Sequence, residues 1–206
     1  MKKINSININ TTDYWDTHIA EPDFGLRQQR YLELAGGGKR IIELGCGLSR
    51  FSDVARIKFK ESWGLDFSPK TIQRAREEFP DVKYIEGNAC KTPFEDNYFD
   101  VAVAGELIEH LRSPKALVQE MSRIAKTIII STAKMEYNDP EHLWEFSKKS
   151  LIDLFSPFGE TYFEEIKSDW FPGRSYLFIK CQKSSEHGRK PPKSHRMPHK
   201  PPNPQN

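Results

Sequence analysis

Short apolar runs alternate with segments of helical periodicity along the chain after residue 39, and this alternation limits the possible folds most strongly. The apolar runs are RIIEL, SWGLD, VKYIEG, YFDVAVAG and KTIIIST. Among the segments between them, SPKTIQRAREEF begins with Ser68 as a capping residue and a first-turn proline. It places Ile72, Ala75 and Phe79 on one helical face. Apolar strands that take turns with helices predict an α/β fold, with a doubly wound parallel sheet covered on both faces.

Two further segments have helical spacing, and the last two apolar segments do not. SRFSDVARIKF repeats apolar residues at a helical interval up to Phe59. A second Ser-Pro start at Ser113 leads a helix whose apolar face runs from Leu117 to Ile124. The segments TYFEEIKSDW and RSYLFIKC alternate in polarity and are joined through FPG without a helix. They predict an antiparallel C-terminal hairpin at one edge of the sheet.

Length and composition favour one domain with appended segments. The 206 residues include no run of eighteen apolar residues, and the start MKKINSININTTDYWD lacks the apolar stretch of a signal peptide. We therefore expect a cytoplasmic protein without a membrane span. The predicted parts are an N-terminal segment (1–38), a central domain (39–182) and a tail (183–206). The three cysteines have no paired spacing, which favours free thiols over a disulfide framework or a cysteine zinc site.

Charge is unevenly distributed between the body and the tail. Residues 1–182 carry a net charge of −3, whereas residues 183–206 carry +5. The tail also holds six of the fourteen prolines and almost nothing apolar, so burial cannot offset the entropy of ordering it. We expect a disordered tail. Its basic charge is compatible with binding nucleic acid, although a solvated tail is the simpler interpretation.

A glycine-rich turn follows the first strand of the series. In open α/β sheets, ligands bind at the carboxyl ends of the strands, where glycines such as Gly45 and Gly47 let them approach the backbone. Arg50 stands where a dinucleotide fingerprint needs a third glycine, which argues against a pyrophosphate. Asp66 ends the second strand, 21 residues after Gly45, and its carboxylate can accept hydrogen bonds from both hydroxyls of a ribose. A nucleoside ligand is predicted; the alternative for Asp66 is a charge favoured by the following helix N-terminus.

Four motifs in order carry a resemblance to a known family. IIELGCGLS, GLDFS, EGNA and FDVAVAGELIEHL make residues 40–132 resemble class I S-adenosylmethionine-dependent methyltransferases. The resemblance implies a Rossmann-like seven-stranded sheet, mostly parallel with a reversed final strand, and S-adenosylmethionine as the cofactor. It also implies that Gly45 and Gly47 admit the methionine part, and that Glu43 helps to hold the amino group of the cofactor through the turn.

The same resemblance assigns the nucleoside contacts. Asp66 would bind the ribose and Phe67 would pack on a face of the adenine. Asn88 and Ala89 would flank the adenine, and Gly105 would bring its backbone close to the cofactor. The chain departs from the family pattern in having a serine, residue 49, at the third small position of the turn, and in having an amide at position 88, where an acid is frequent.

The segment GELIEHL carries the predicted catalytic residues, His110 and Glu106. If it turns helically, Glu106, Glu109 and His110 share one face near the methyl group of the cofactor. They resemble the cation ligands of quinone-biosynthesis O-methyltransferases and of small-RNA 3′-terminal 2′-O-methyltransferases, and His142 in DPEHLWEFS matches a further histidine of the second group. The resemblance implies a Mg²⁺, Mn²⁺ or Zn²⁺ site on these four residues. Alternatively, the acids favour a helix N-terminus and His110 packs beside the pocket or acts as a base.

Residues outside the motifs complete the candidate site. Tyr14 and Trp15 belong to a segment that would fold over the cofactor as a lid, if they are not core residues. Arg27 and Arg30, on a helix before the first strand, either meet the carboxylate of the cofactor or are solvated. Four aromatic residues predicted to border the substrate opening, or to lie in the core, are Trp144, Phe146, Trp170 and Phe171.

Three functions are compatible with these features. The first is methyl transfer to a small-molecule or lipid acceptor, at an oxygen atom. The second is metal-dependent 2′-O-methylation of RNA, favoured by His142 and the basic tail. The third is a non-catalytic methyltransferase-like module that binds partners through its tail.

Overall fold

The computed structural model describes residues 2–3, 24–135 and 142–183. The helices are α1 (Phe24–Ala35), α2 (Arg50–Ala55), α3 (Pro69–Glu78), α4 (Pro114–Ile124) and α5 (Lys148–Phe155). The strands are β1 (Lys2–Lys3), β2 (Gly38–Leu44), β3 (Phe59–Asp66), β4 (Lys83–Glu86), β5 (Phe99–Gly105), β6 (Ala125–Met135), β7 (Trp144–Glu145), β8 (Gly159–Lys167) and β9 (Arg174–Lys183). Short 3₁₀ turns lie at Ile108–His110 and Ser156–Phe158. Strands and helices alternate from β2 to β6, apart from a loop between β4 and β5.

Seven of the strands form one sheet in the order β4-β3-β2-β5-β6-β9-β8. Neighbouring strands from β4 to β6 are parallel, whereas β9 runs antiparallel to both β6 and β8. The predicted C-terminal hairpin is therefore β8 and β9, joined through residues 168–173, and β9 is the reversed strand. Strands β1 and β7 pair separately. The predicted α/β, Rossmann-like fold is confirmed.

The two predicted Ser-Pro helix starts are present. The Ser68 hydroxyl accepts the backbone N–H of Thr71 at 3.3 Å, and the Ser113 hydroxyl accepts that of Ala116 at 3.4 Å. In each helix a proline stands at the start, where its missing N–H leaves no intrahelical bond unmade. These caps fix where the chain turns back over the sheet after β3 and β5.

Helices cover both faces of the sheet. In β2, Ile42 and Leu44 point to the face covered by α4 and α5, whereas Ile41 points to the face covered by α1 and α2. Helix α3 packs on a smaller cluster that includes Cys46 and Tyr84. Because both faces are buried, the strands are apolar throughout, which is the pattern seen in the sequence.

One predicted helix is shorter than its apolar spacing suggested. Helix α2 ends at Ala55, and Phe59 begins β3, where it pairs with Gly38. The Lys58 N–H donates to the carbonyl of Ala55 at 3.0 Å, so the helix closes in a tight turn. Phe59 is a buried residue at the start of a strand, but its sequence spacing from Ala55 is also that of a residue one helical turn further on. The apolar pattern alone therefore cannot distinguish the two.

Some predicted segments fall outside the described residues. Tyr14 and Trp15 lie in residues 4–23, and residues 184–206 are nearly the whole predicted tail. Within the described ranges, no helix is long and apolar enough to cross a membrane. The three cysteines are free thiols.

Candidate functional site

The predicted cofactor residues lie together at one edge of the sheet, where the parallel strands end. Strands β2, β3 and β5 end at Leu44, Asp66 and Gly105. The chain places β3 and β4 on one side of β2 and then crosses to put β5 on the other side. The crevice outside such a switch point is where open α/β sheets bind ligands.

The turn after β2 depends on left-handed backbone conformations. Gly45, Gly47 and Ser49 have φ values of 70°, 50° and 63°, a region that only glycine enters freely. A Cβ atom on Gly45 would lie 2.9 Å from the side chain of Leu107. The turn is fastened to β3, because the N–H groups of Gly45 and Cys46 donate to the carbonyl of residue 65 at 2.7 and 3.0 Å. These contacts explain why glycine stands at position 45 even before a ligand is considered.

Asp66 connects three parts of the crevice. Its Oδ2 accepts the N–H of Gly47 at 3.1 Å and its Oδ1 accepts the N–H of Ser68 at 3.0 Å. The residue is 2% exposed. Burial raises the pKa of Asp66 above its ordinary value, and the hydrogen bonds from Ser68 and Gly47 act in the opposite direction. Each oxygen retains an acceptor site, so the carboxylate can still take hydroxyl donors from a ligand that reaches it.

Glu43 supports the glycine turn through hydrogen bonds from Ser52. Its Oε2 accepts both the N–H of Ser52 at 3.2 Å and the Ser52 hydroxyl at 2.6 Å. The carboxylate at the end of β2 therefore holds the first turns of α2 and encloses the glycine turn between them. Burial raises the pKa of Glu43 to about 8, against these two hydrogen bonds and with a further contribution from the negative charge of Asp66.

The predicted adenine contacts differ in exposure. Phe67, directly after Asp66, is 51% exposed, so about half of its surface is open to a ligand. Asn88 is exposed and its Oδ1 accepts the N–H of Cys90 at 2.8 Å, so its amide nitrogen faces solvent with two donors. Ala89 is buried.

Sequence reasoning missed Tyr31 and Ser131, which close the crevice beside Gly105. The Tyr31 hydroxyl, from α1, lies where a Cβ atom on Gly105 would stand. It is hydrogen-bonded to the hydroxyl of Ser131 on β6. Burial, followed by the charge of Glu106, raises the pKa of Tyr31 well above its ordinary value, so it remains a neutral phenol. The only signal in the sequence was a lone serine at the end of the apolar run KTIIIST.

Glu106 does not share a helical face with the residues that follow it. It has φ 50° and precedes the 3₁₀ turn. Its Oε1 accepts the Ser131 hydroxyl, and its Oε2 lies 3.6 Å from Nη1 of Arg27. The predicted helical face therefore begins only after Glu106, because the chain must first leave β5 through a left-handed residue.

Glu109 and His110, within the 3₁₀ turn, come together with His142. One ligand atom from each lies within 4.8 Å of the others, in the part of the chain that the structure describes. The Leu143 N–H donates to the Glu109 carbonyl at 2.8 Å, which brings the segment with His142 beside the 3₁₀ turn. The two imidazole rings meet edge to face, with centroids 5.0 Å apart.

The Glu109 side chain is fully buried. Its Oε1 accepts the N–H of Ala133 at 3.3 Å, whereas its Oε2 makes no hydrogen bond to any described residue. The Thr132 hydroxyl, which also lacks a hydrogen bond, is near enough to favour the charged form slightly. Burial, reinforced by the charge of Glu106, raises the pKa of Glu109 well above its ordinary value.

The remaining predicted residues differ in burial and in their hydrogen-bond partners. Arg27 is buried at the crevice, whereas Arg30 is hydrogen-bonded to Glu164 on β8. Trp144 is half-buried and its Nε1–H donates to the Leu111 carbonyl at 2.7 Å. The other three aromatic residues range from a core position to the surface, and they are Phe146 (buried), Phe171 (half-buried) and Trp170 (exposed).

Comparison with known proteins finds similarity to methyltransferases. A family model described as a methyltransferase domain matches residues 42–127. A probable S-adenosylmethionine-dependent methyltransferase of Mycolicibacterium smegmatis is 30% identical over 156 residues, covering 68% of this chain and 61% of that protein. A demethylmenaquinone methyltransferase of Geobacillus kaustophilus is 26% identical over 159 residues, covering 68% of this chain and 67% of that protein. The chain thus spans about two thirds or less of these curated relatives.

Solved structures share the fold. Phosphoethanolamine N-methyltransferase 2 of Haemonchus contortus, in complex with S-adenosyl-L-methionine, superposes with a TM-score of 0.66 at 15% identity, covering 77% of this chain and 52% of that chain. The YcgJ protein of Bacillus subtilis gives a TM-score of 0.62 at 15% identity, covering 77% of this chain and 98% of that chain. At such identities the likeness concerns the fold alone. The family model, the relatives and the ordered strand-end motifs together support a class I S-adenosylmethionine-dependent methyltransferase, and the solved structures support its fold.

Proposed function

We propose that this protein transfers the methyl group of S-adenosylmethionine to an oxygen atom of a small-molecule or lipid acceptor. The observation that carries the proposal is the meeting of Asp66, the glycine turn and the exposed ring of Phe67 at one crevice. A carboxylate beside an exposed aromatic ring provides the hydrogen-bond acceptor and the stacking surface that a nucleoside needs, and the similarity to S-adenosylmethionine-dependent methyltransferases makes that nucleoside S-adenosylmethionine.

The residues present fit this cofactor. Asp66 retains acceptor sites for two ribose hydroxyls, Phe67 offers an apolar face to the adenine, and Asn88 offers amide donors to its edge. The glycine turn, held by Glu43, leaves backbone near the methionine part. The proposed cofactor contacts are Glu43, Gly45, Gly47, Asp66, Phe67, Asn88, Ala89 and Gly105.

Methyl transfer from S-adenosylmethionine requires few catalytic groups from the protein. S-adenosylmethionine supplies a methyl group on a sulfonium, which is already a good leaving group. The chain then has to align the acceptor and remove its proton. We propose His110 as the base, because an imidazole titrates near neutral pH and the 3₁₀ turn places it after β5. Glu106, the other predicted catalytic residue, is already held by Ser131 and faces Arg27.

Relatives support a small, largely apolar acceptor. Several curated relatives are named demethylmenaquinone methyltransferases. Trp170, 66% exposed, lies in the β8–β9 connection at the carboxyl edge of the sheet, where it can contact such a molecule. We therefore propose a small aromatic or lipid acceptor. RNA as acceptor and a non-catalytic role stay predictions, since the tail lies outside the described residues.

Two measurements test the function. Calorimetric titration of the full chain with S-adenosylmethionine should give saturable binding. Release of S-adenosylhomocysteine in the presence of a panel of phenols, hydroquinones and demethylmenaquinone should then reveal turnover, and His110→Ala should abolish it without loss of cofactor binding. Absence of heat at millimolar cofactor would remove the proposal, while binding without turnover on any acceptor would favour the non-catalytic alternative.

We further propose that Glu109, His110 and His142 can hold a divalent cation. Two imidazoles and a carboxylate suit Zn²⁺ or Mn²⁺ better than Mg²⁺. The supporting observations are that Glu109 Oε2 is buried without a hydrogen bond to a described residue, and that one oxygen of this carboxylate lies within 4.8 Å of a nitrogen of each imidazole. Tetrahedral zinc ligands lie about 3.4 Å apart at ordinary bond lengths, so the three groups have to draw together slightly from their present 4.8 Å spread. His110 would then be a ligand and not the base, and the chemistry that a bound ion would supply is a lower pKa of the acceptor hydroxyl.

Metal analysis distinguishes a metal-bound site from a site in which His110 is the base. The full chain dialysed against Zn²⁺ or Mn²⁺ should retain about one ion per chain and unfold at a higher temperature than the chelator-treated protein. His142→Ala should retain no ion. The expected metal content of the Glu106→Gln variant is unchanged, because Glu106 lies outside the cluster. Equal metal content in His142→Ala and wild type would exclude this site and leave His110 as the base.

A further inference from the structure

A buried ion pair lies across the crevice from Asp66. Arg27 Nη1 and Glu106 Oε2 are 3.6 Å apart, and the two side chains are 9% and 19% exposed. This separation is longer than a hydrogen bond. Taking two charges out of water is favourable only when attraction and hydrogen bonds offset the lost hydration. An ion pair of this kind presents a positive and a negative group side by side, which suits a ligand that carries both charges.

Neighbouring side chains hold both members of the pair. The Ser131 hydroxyl donates to Glu106 Oε1, and because it has one proton, the Tyr31 hydroxyl must be the donor to Ser131. The Arg27 guanidinium lies over the ring of Tyr176, 4.9 Å from its centroid. Both charged groups are therefore positioned before a ligand arrives, which lowers the entropic cost of binding it.

The pair stands where the amino-acid end of the cofactor would arrive. In the sheet, β2 separates β3, which ends at Asp66, from β5, which ends at Gly105 immediately before Glu106. Two strand spacings are about 10 Å. Phe67 and Asn88, the proposed adenine contacts, lie on the β3 and β4 side. A nucleoside that binds Asp66 with its base toward β4 extends its 5′ substituent across the glycine turn toward β5.

Resting on the proposed function, we propose that Arg27 and Glu106 bind the zwitterionic end of S-adenosylmethionine, Arg27 its α-carboxylate and Glu106 its α-ammonium. Helix α1 then belongs to the cofactor site, and Glu106 has a binding role in place of the predicted catalytic one. Arg30, three residues along the same helix, is engaged by Glu164 on β8 and takes no part.

Four probes of graded charge test this assignment by calorimetric titration of the full chain. They are S-adenosylmethionine, S-adenosylhomocysteine, decarboxylated S-adenosylmethionine, which keeps the ammonium, and 5′-methylthioadenosine, which has neither group. Arg27→Met, which keeps an apolar stem over Tyr176, should weaken S-adenosylmethionine and S-adenosylhomocysteine by about 10- to 100-fold. It should leave decarboxylated S-adenosylmethionine and methylthioadenosine within about threefold of wild type. Glu106→Gln should weaken every probe except methylthioadenosine.

Matched variants and probes distinguish a binding role from a structural role, and failure of this inference from failure of the proposed function. Arg30→Met, the control on the same helix, should change no affinity, and Arg27→Lys should recover part of the loss. Equal weakening of all probes in Arg27→Met would show a structural role and overturn the inference. Wild type binding methylthioadenosine as tightly as S-adenosylmethionine would also overturn it, while leaving the proposed function intact. Wild type binding none of the probes would remove the proposed function itself, and this inference with it.

Discussion

The Asp66 carboxylate accepts the backbone N–H of Gly47 at 3.1 Å, so the residue that ends β3 also fixes the turn that follows β2. The other oxygen of the same carboxylate accepts the N–H of Ser68, the capping residue of α3. A single buried acid therefore sets the positions of a strand end, a glycine turn and a helix start. Residues 19 apart in the chain become one side of a ligand site through this bond.

Asp66→Asn should weaken S-adenosylmethionine binding by about 10- to 100-fold, since hydrogen bonds to a charged group contribute roughly 1.5–3 kcal/mol. An amide has one acceptor oxygen, so it cannot serve the backbone N–H groups and both ribose hydroxyls at once. Calorimetric titration measures the change. Asp100→Asn is the matched control, because Asp100 accepts the N–H groups of Lys39 and Arg40 at the opposite end of the sheet. Similar loss of affinity in both variants would refute the ribose assignment.

Gly45→Ala should lower the free energy of unfolding by about 1–3 kcal/mol, because it combines a positive φ with overpacking. The new Cβ atom would stand 2.9 Å from Leu107 on a backbone with φ 70°. Urea denaturation gives the value. Gly25→Ala, in α1, meets nothing within 4 Å and should be neutral or stabilising by up to about 1 kcal/mol. Equal stabilities of the two variants would contradict the conformation assigned to the turn.

Glu43→Gln should stabilise the protein at pH 8 more than at pH 5, by a difference on the order of 2 kcal/mol. The pKa of Glu43 is raised to about 8 from an ordinary 4.5, so the folded chain keeps a proton that the unfolded chain releases. The stability that this proton confers is full below the unfolded pKa, and it is lost as the pH rises to about 8. Glutamine still accepts the Ser52 hydrogen bonds and has no proton to lose.

Urea denaturation at the two pH values measures the Glu43 effect. Glu95→Gln, at an exposed position, is the control and should show the same stability difference from wild type at both pH values. A Glu43→Gln difference that does not change between pH 5 and pH 8 would show that the carboxylate is ionised throughout.

Phe67→Ala should weaken S-adenosylmethionine binding about tenfold while changing the free energy of unfolding by less than about 1 kcal/mol. The ring is 51% exposed, so folding buries little of it, whereas a bound adenine would cover it. Ile57→Ala, at a residue 79% exposed on the opposite edge of the sheet, should leave both quantities unchanged. A large loss of stability in Phe67→Ala with unaltered binding would show a packing role instead.

The local features of the fold were predictable from the sequence because they depend on residues a few positions apart. Ser68 and Ser113 cap their helices as predicted, since a cap needs only a hydroxyl and an N–H three residues later. The glycine turn and Asp66 were recognisable for the same reason, because each stands directly after an apolar strand. The order of these motifs was enough to predict the doubly wound sheet and the family.

The partners of the acidic residues were decided only by the tertiary structure. Tyr31 and Ser131 are 100 residues apart and meet because α1 packs across β6, which no local pattern records. Glu106 contacts Arg27 and Ser131, whereas Glu109, within the 3₁₀ turn, lies beside His110 and His142. Their spacing in the sequence allowed a single face. A left-handed residue at the strand end divided them, because backbone direction there is set by the sheet and not by the side chains that follow.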